Sequence, residues 1–287
     1  MKKSFLLLVV LAATACMASG QRRLNVRDQE TIKRTLEFSS GNGTKLLEVD
    51  GVNGSIHVTG YDGRNIEMIA NKTIRAESQD KVETAKREVK LDITDKSDTV
   101  RIYVDQPGHE HSTTSSSHSD WSDHGYEVSF DFEIRVPRQA AIHLWTVNGG
   151  DIDVQNVSGD FDVRHVNGSV ELQGLSGSGS AHTVNGHVKA GFVNNPKADS
   201  SFGSINGTIE VAFQKNLSAN LRYKTMNGGV YTDFPVTTLA SLPGTAERRN
   251  GKFVYKSNGF SGARIGNGGP ELTFENLNGN IQILQAK

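Results

Sequence analysis

Four histidines, His109, His111, His118 and His124, stand close together with Glu110, Asp120 and Asp123. Imidazole and carboxylate groups ligate zinc, copper or nickel. The histidine spacings of 2, 7 and 6 fit no compact metal site. The surrounding Ser/Thr/Asp-rich tract, residues 107–126, has too little apolar area to order itself by burial. A flexible, solvated loop is the plainer reading, and no metal or other cofactor is expected.

A second group is acidic: Asp151, Asp153, Asp160 and Asp162. Paired carboxylates are what a glycosidase or a polysaccharide lyase needs on one face. Here they alternate with Ile152 and Phe161, which makes them outward strand residues that aid solubility and protect sheet edges. The chain has no Gly-x-Ser-x-Gly elbow, no His-Glu-x-x-His and no Gly-Lys-Ser/Thr phosphate loop. The one cysteine, Cys16, falls in the leader, so no disulfide or thiolate metal site can hold the mature fold.

The third group emerges from a repeat. Val147-Asn148-Gly149, Val157-Ser158-Gly159, Val166-Asn167-Gly168, Leu175-Ser176-Gly177 and Val184-Asn185-Gly186 follow one another at steps of 10, 9, 9 and 9 residues. Wider copies follow at Ile205-Asn206-Gly207, Met226-Asn227-Gly228 and Leu277-Asn278-Gly279, with an early one at Val52-Asn53-Gly54. With the Asn-Gly turns in register, Trp145, Arg164, His182, Gly203 and Lys224 share one position. Trp145, Arg164, His182 and Lys224 would then form a weakly basic strip with an aromatic end, suited to a glycan or an anionic polymer. Ordinary strand-face decoration is the plainer alternative. One position further on, Thr146, His165, Thr183, Ser204 and Thr225 form another column. The asparagines themselves are explained by turn geometry and by amide hydrogen bonding between stacked units.

The elements that position these residues follow from the same register. Gly159 precedes Phe161 and Val163, Gly168 precedes Val170 and Leu172, and Gly207 precedes Ile209 and Val211. Each unit is a short strand with one apolar face. In a hairpin, the aliphatic residue before each Asn would point away from the core. That residue is apolar in every copy and reads as buried, which favours a corner of a parallel β-solenoid, with right-handed coiling. Asn-Gly and Ser-Gly alternate, as two corners of one coil would. Val82, Ala85 and Val89 recur at helical spacing, so residues 75–90 hold one amphipathic helix. The organisation expected is a leader at 1–20, a polar segment at 21–44, a β-rich portion at 45–141 and the repeat region at 142–287.

Lys2 and Lys3 followed by the apolar stretch Phe5–Ala13 mark a signal peptide. Ala13-Thr14-Ala15 before Cys16 resembles a lipoprotein signal, with lipidation of Cys16. Cleavage after Ala18-Ser19-Gly20 is the other reading. Both export the protein to a bacterial cell envelope. The formal net charge is −1, and loss of Lys2 and Lys3 takes it to −3, so no nucleic-acid partner is indicated. No later segment approaches the roughly 20 apolar residues of a membrane span.

Leu47-Glu48-Val49-Asp50-Gly51-Val52-Asn53-Gly54-Ser55-Ile56-His57-Val58, the entry Val136-Pro137-Arg138 and the dense Val-Asn-Gly series resemble the bacterial putative-adhesin family of exported β-solenoid domains. The resemblance covers most of residues 45–287. It implies an adhesin-like scaffold and brings no catalytic signature, and the loop at 107–126 departs from its pattern. The sequence therefore points to an all-β, non-catalytic envelope or surface protein whose partner is an envelope glycan, an anionic polymer or a surface protein. A carbohydrate-active β-helix enzyme and an envelope-stress accessory are the alternatives.

Overall fold

A computed structural model describes residues 24–38, 43–96, 98–107, 124–239, 245–249, 252–256 and 259–287, with backbone alone at 245–249 and 252–256. The leader, Cys16 and most of the His/Ser tract lie outside these residues. The N-terminal strands are β1 (Val26–Glu37), β2 (Leu46–Asp50), β3 (Ile56–Tyr61) and β4 (Asn65–Ala76). Helix α1 (Gln79–Glu88) follows, then β5 (Lys90–Lys96), β6 (Thr99–Asp105) and β7 (Tyr126–Pro137). The repeat supplies β8 (Ala141–Thr146), β9 (Ile152–Gln155), β10 (Phe161–His165), β11 (Val170–Leu175), β12 (Gly179–Asn185), β13 (Val188–Phe192), β14 (Ser200–Asn206) and β15 (Ile209–Phe213). Then come β16 (Ala219–Asn227), β17 (Val230–Thr232), β18 (Val236–Leu239), β19 (Thr245–Arg249), β20 (Lys252–Lys256), β21 (Ser261–Ile265), β22 (Glu271–Asn278) and β23 (Ile281–Gln285).

Among the described residues the chain is all-β with one helix, as expected, built as two large sheets and a small hairpin. The first sheet runs β1-β4-β7-β3-β9-β11-β13-β15-β23-β17, and the second runs β18-β21-β16-β22-β14-β12-β10-β8-β2-β6-β5. Successive repeat strands alternate between the sheets and pair in parallel, for example β8 with β10 and β9 with β11. At each Asn-Gly turn the chain passes from the second sheet to the first, and the Ser-Gly turns at 158 and 176 bring it back. The Asn-Gly turns are therefore corners between sheets, not hairpins. A solenoid that is parallel throughout is not what forms. Both sheets are mixed, because β1 and β4, β4 and β7, β5 and β6, and β16 and β21 pair antiparallel at the ends.

The expectation that every pre-turn aliphatic residue is buried does not hold. Val157 and Leu175, before Ser-Gly, are fully buried, whereas Ile205, Leu277 and Met226, before Asn-Gly, are 43%, 40% and 71% exposed. The cause is strand parity. Thr146, Thr183 and Ser204 face inward, so the next residue must face out. At the Ser-Gly corners one residue in the left-handed region resets that alternation: Asn156 (φ 58) before Val157, and Gly174 (φ 73) before Leu175.

Two departures come from tertiary pairing. The polar segment at 21–44 holds β1, whose twelve positions all pair with β4. The final corner unit, β22 and β23, does not stack at the end. It intercalates: β22 lies between β14 and β16, and β23 between β15 and β17. Leu272, Phe274, Ile281 and Ile283 from this unit have no exposed surface. Helix α1 sits where the spacing put it, with Ser78 capping the Lys81 amide and Val82 and Ala85 buried.

Candidate ligand-binding face

Strand alternation leaves every second residue of the second sheet on its outer side. Inward, Val49, Leu144, Val163, Ala181, Phe202 and Phe274 align across neighbouring strands as one buried row. The adjacent outward row reads Tyr103, Asp50, Trp145, Arg164, His182, Gly203, Glu275 and Lys224. Trp145, Arg164 and His182 thus stand on consecutive strands. Lys224 belongs to the same row, but two strands separate it from His182, and one of them is the intercalated β22. Its Glu275 lies 3.4 Å from the Lys224 ammonium, which the linear alignment of repeats had no means of placing there.

The next outward row carries a network that the sequence pattern did not single out. Asp162 accepts from Ser180 Oγ at 2.6 Å and from Arg164 Nε and Nη2 at 3.1 and 2.9 Å. His143 Nε2 stands 3.5 Å from the same carboxylate. Partial burial alone would raise the Asp162 pKa, but the Ser180 and Arg164 bonds and the nearby His143 outweigh it, and the net shift is downward. His182 Nε2 lies 3.0 Å from Ser201 Oγ. Its ring covers Gly203, where an added Cβ would come within 2.3 Å of Nδ1. Burial first, and the Arg164 charge second, hold the His182 pKa below its ordinary value of 6.5. Asp162 is outward, as its alternation with Phe161 predicts; the signal that ties it to Arg164 is its place two residues earlier, which puts both on the same face of one strand.

The polar columns at the Asn-Gly corner are structural. Asn167, Asn185, Asn206, Asn278 and Asn227 each donate to the carboxamide of a stacked neighbour at 2.7 to 2.8 Å, forming one ladder that starts at Asn148. Behind it, His165, Thr183, Ser204, Asn276 and Thr225 bond the carbonyls of Gly150, Gly168, Gly186, Gly207 and Gly279 on the adjoining corner. These bonds satisfy buried corner carbonyls. The threonines and serine are therefore required by the corner rather than by strand propensity.

The four aspartates divide between opposite surfaces. Asp151 and Asp153 belong to the first sheet, Asp160 and Asp162 to the second. Asp151 and Asp160 accept the backbone N–H of Ser169 and Ser178 at 2.7 and 3.0 Å. Asp153 pairs with His57 Nδ1 at 2.9 Å. A shallow depression beside that pair is lined by Thr59, Glu67, Glu133 and Arg135. There, Glu67 holds Arg135 at 2.8 Å and the guanidinium covers the Tyr61 ring. Of the four histidines in the 107–126 tract, His124 alone is described, and its ring stacks on Tyr126. Among the described residues no group of three or more His, Cys, Asp or Glu side chains is placed to hold a metal ion. Among them, too, no helix is long and apolar enough to cross a membrane.

No family model and no curated protein matches the chain. Six solved chains match it in structure. A putative cell adhesion protein from Clostridium sporogenes is 13% identical with a TM-score of 0.41, over 90% of this chain and 100% of that one. A putative adhesin from Bacteroides fragilis is 12% identical with a TM-score of 0.38, over 90% and 97%. A putative lipid binding protein from Parabacteroides distasonis is 9% identical with a TM-score of 0.24, over 91% and 97%.

Proposed function

We propose that this protein is a non-catalytic interaction scaffold of the bacterial envelope, and that the outer side of its second sheet is the contact face. In this reading the repeat is one continuous two-cornered coil, a solenoid closed at both ends by antiparallel strands. The leader exports the chain, with Cys16 as the candidate lipid anchor. The observation that carries the reading is the ordered outward row of Trp145, Arg164 and His182, in which Asp162 and Ser180 hold Arg164 and Ser201 holds His182. Such a surface is preorganised for recognition, since its polar side chains are already locked by neighbours on rigid strands.

The enzyme alternative draws no support from the acids. They sit on two opposite faces, and Asp151 and Asp160 are committed to backbone amides. Crosslinked capture from envelope fractions tests the scaffold reading. Wild-type protein should retain a partner that a Trp145→Ala/Arg164→Ala/His182→Ala variant of unchanged thermal stability does not. Equal capture by both would remove this face from the function.

A further inference from the structure

We infer that the outer face of the second sheet takes a neutral, extended sugar chain rather than an anionic polymer. The inference rests on the reading of that face as the contact surface and adds the chemistry of what it contacts.

The argument begins with charge. Strands β2, β8, β10, β12, β14, β16 and β22 carry three Arg or Lys residues among them, Arg164, Arg222 and Lys224. Each is paired: Arg164 with Asp162 at 2.9 Å, Arg222 with Glu271 at 3.6 Å, and Lys224 with Glu275 at 3.4 Å. Arg222 and Lys224 also lie over the Phe260 ring, at 4.3 and 5.5 Å from its centroid. A polyanion needs cations with free donors to form charge-assisted bonds. Here the donors that remain sit beside carboxylates, and Glu48, Asp50, Asp162, Glu271 and Glu275 outnumber the three cations on these strands, so a polyanion meets no net attraction.

What the face offers instead suits hydroxyl groups. A sugar hydroxyl both donates and accepts. Asp162 has lone pairs beyond those used by Ser180 and Arg164, and the Ser180 and Ser201 hydroxyls also accept. Trp145 stands at one end of the row, where a chain bound along it changes the surroundings of the indole. Strands in the sheet repeat about every 4.8 Å. That pitch is close to the advance of one sugar along an extended β-linked chain. Trp145, Arg164 and His182 on three consecutive strands therefore correspond to three consecutive sugars. The run ends at Gly203, which presents no side chain, and at the Glu275–Lys224 pair beyond it.

The experiment uses the full mature chain with Trp121→Phe, which leaves Trp145 as the sole tryptophan of the two in the sequence. Neutral β-(1→4)-linked oligosaccharides and a sulfated dextran are titrated in parallel at low and high salt. We expect the neutral chain to change Trp145 fluorescence, with an affinity that moves less than about twofold with salt, as interactions without net charge require. Asp162→Asn should weaken it by on the order of tenfold. Salt-sensitive binding of the sulfated polymer alone, still reported by Trp145, overturns the neutral-ligand inference and leaves the face intact. Sugar binding that neither perturbs Trp145 nor responds to Asp162→Asn overturns both. Absence of binding by either polymer, while envelope capture through this face succeeds, overturns the sugar chemistry alone.

Discussion

The Glu275 carboxylate lies 3.4 Å from the Lys224 ammonium, across 51 residues of sequence. The pair marks the seam where the last strands of the chain enter between units laid down earlier. The pair itself is solvent-exposed and contributes at most about 1 kcal/mol. The seam does not depend on it. Phe274, fully buried and stacked on Phe202, is what anchors β22. Phe274→Ala should cost about 3–5 kcal/mol, whereas Glu275→Gln should cost less than about 1 kcal/mol. Urea denaturation separates the two. Similar midpoints for both variants would mean that the inserted unit is not packed as described.

The carboxamide ladder sets a graded series. Asn185 donates to Asn167 and accepts from Asn206, so Asn185→Ala removes two bonds. Asn227 makes one ladder bond, to Asn278. At roughly 1 kcal/mol per hydrogen bond, the interior substitution should cost about twice the terminal one. A larger loss at position 227 would contradict the ladder.

The same ladder should slow deamidation, in which the glycine nitrogen attacks the asparagine side chain. At Asn206 the carboxamide both donates and accepts, and the Gly207 N–H is bonded to the Asn278 carbonyl. Asn227 is exposed and, among the described residues, its carboxamide oxygen has no donor. Tryptic peptides Ala198–Lys215 and Thr225–Arg248 each carry one asparagine. In folded protein held at mildly alkaline pH, the second peptide should gain mass severalfold faster than the first, and urea should erase the difference.

Thr183→Val tests the inner column. The hydroxyl is buried and bonds the Gly168 carbonyl at 2.7 Å. The isosteric change leaves that carbonyl unpaired, at a cost of about 1–3 kcal/mol. Thr183→Ser should recover most of it, a rescue readable by thermal denaturation.

Two groups on the contact face predict separate pH responses. Burial and the Arg164 charge hold His182 below its ordinary 6.5, so the unfolded chain binds the proton first as pH falls. Stability is therefore lost from about pH 6.5 downward through the folded value, and His182→Gln should flatten that interval. The lowered pKa of Asp162 acts further down. Its contribution is present above the ordinary 3.8 and disappears as pH falls through the lower folded value. Asp162→Asn should remove that acid-side loss and, because the Asp162 charge favours the His182 cation, extend the His182 interval downward.

Local pattern determined a good deal by itself. Period-two alternation after each glycine identified the inward residues, from Val163 and Leu172 to Ile209 and Val211, because a strand has only two faces. A fixed offset before each turn Asn placed Trp145, Arg164 and His182 in one row, because residues counted from equivalent corners stack in register. Three features were decided by tertiary structure alone. The position of β22 depends on which edges remain open when the chain end arrives, so nothing in the repeat could insert Glu275 beside Lys224. Exposure of Ile205, Leu277 and Met226 follows from the buried corner carbonyls, which claim the preceding inward position for a hydrogen-bonding side chain. The ordering of β1 comes from its pairing with β4, since a polar strand gains its backbone hydrogen bonds only when a partner edge is present.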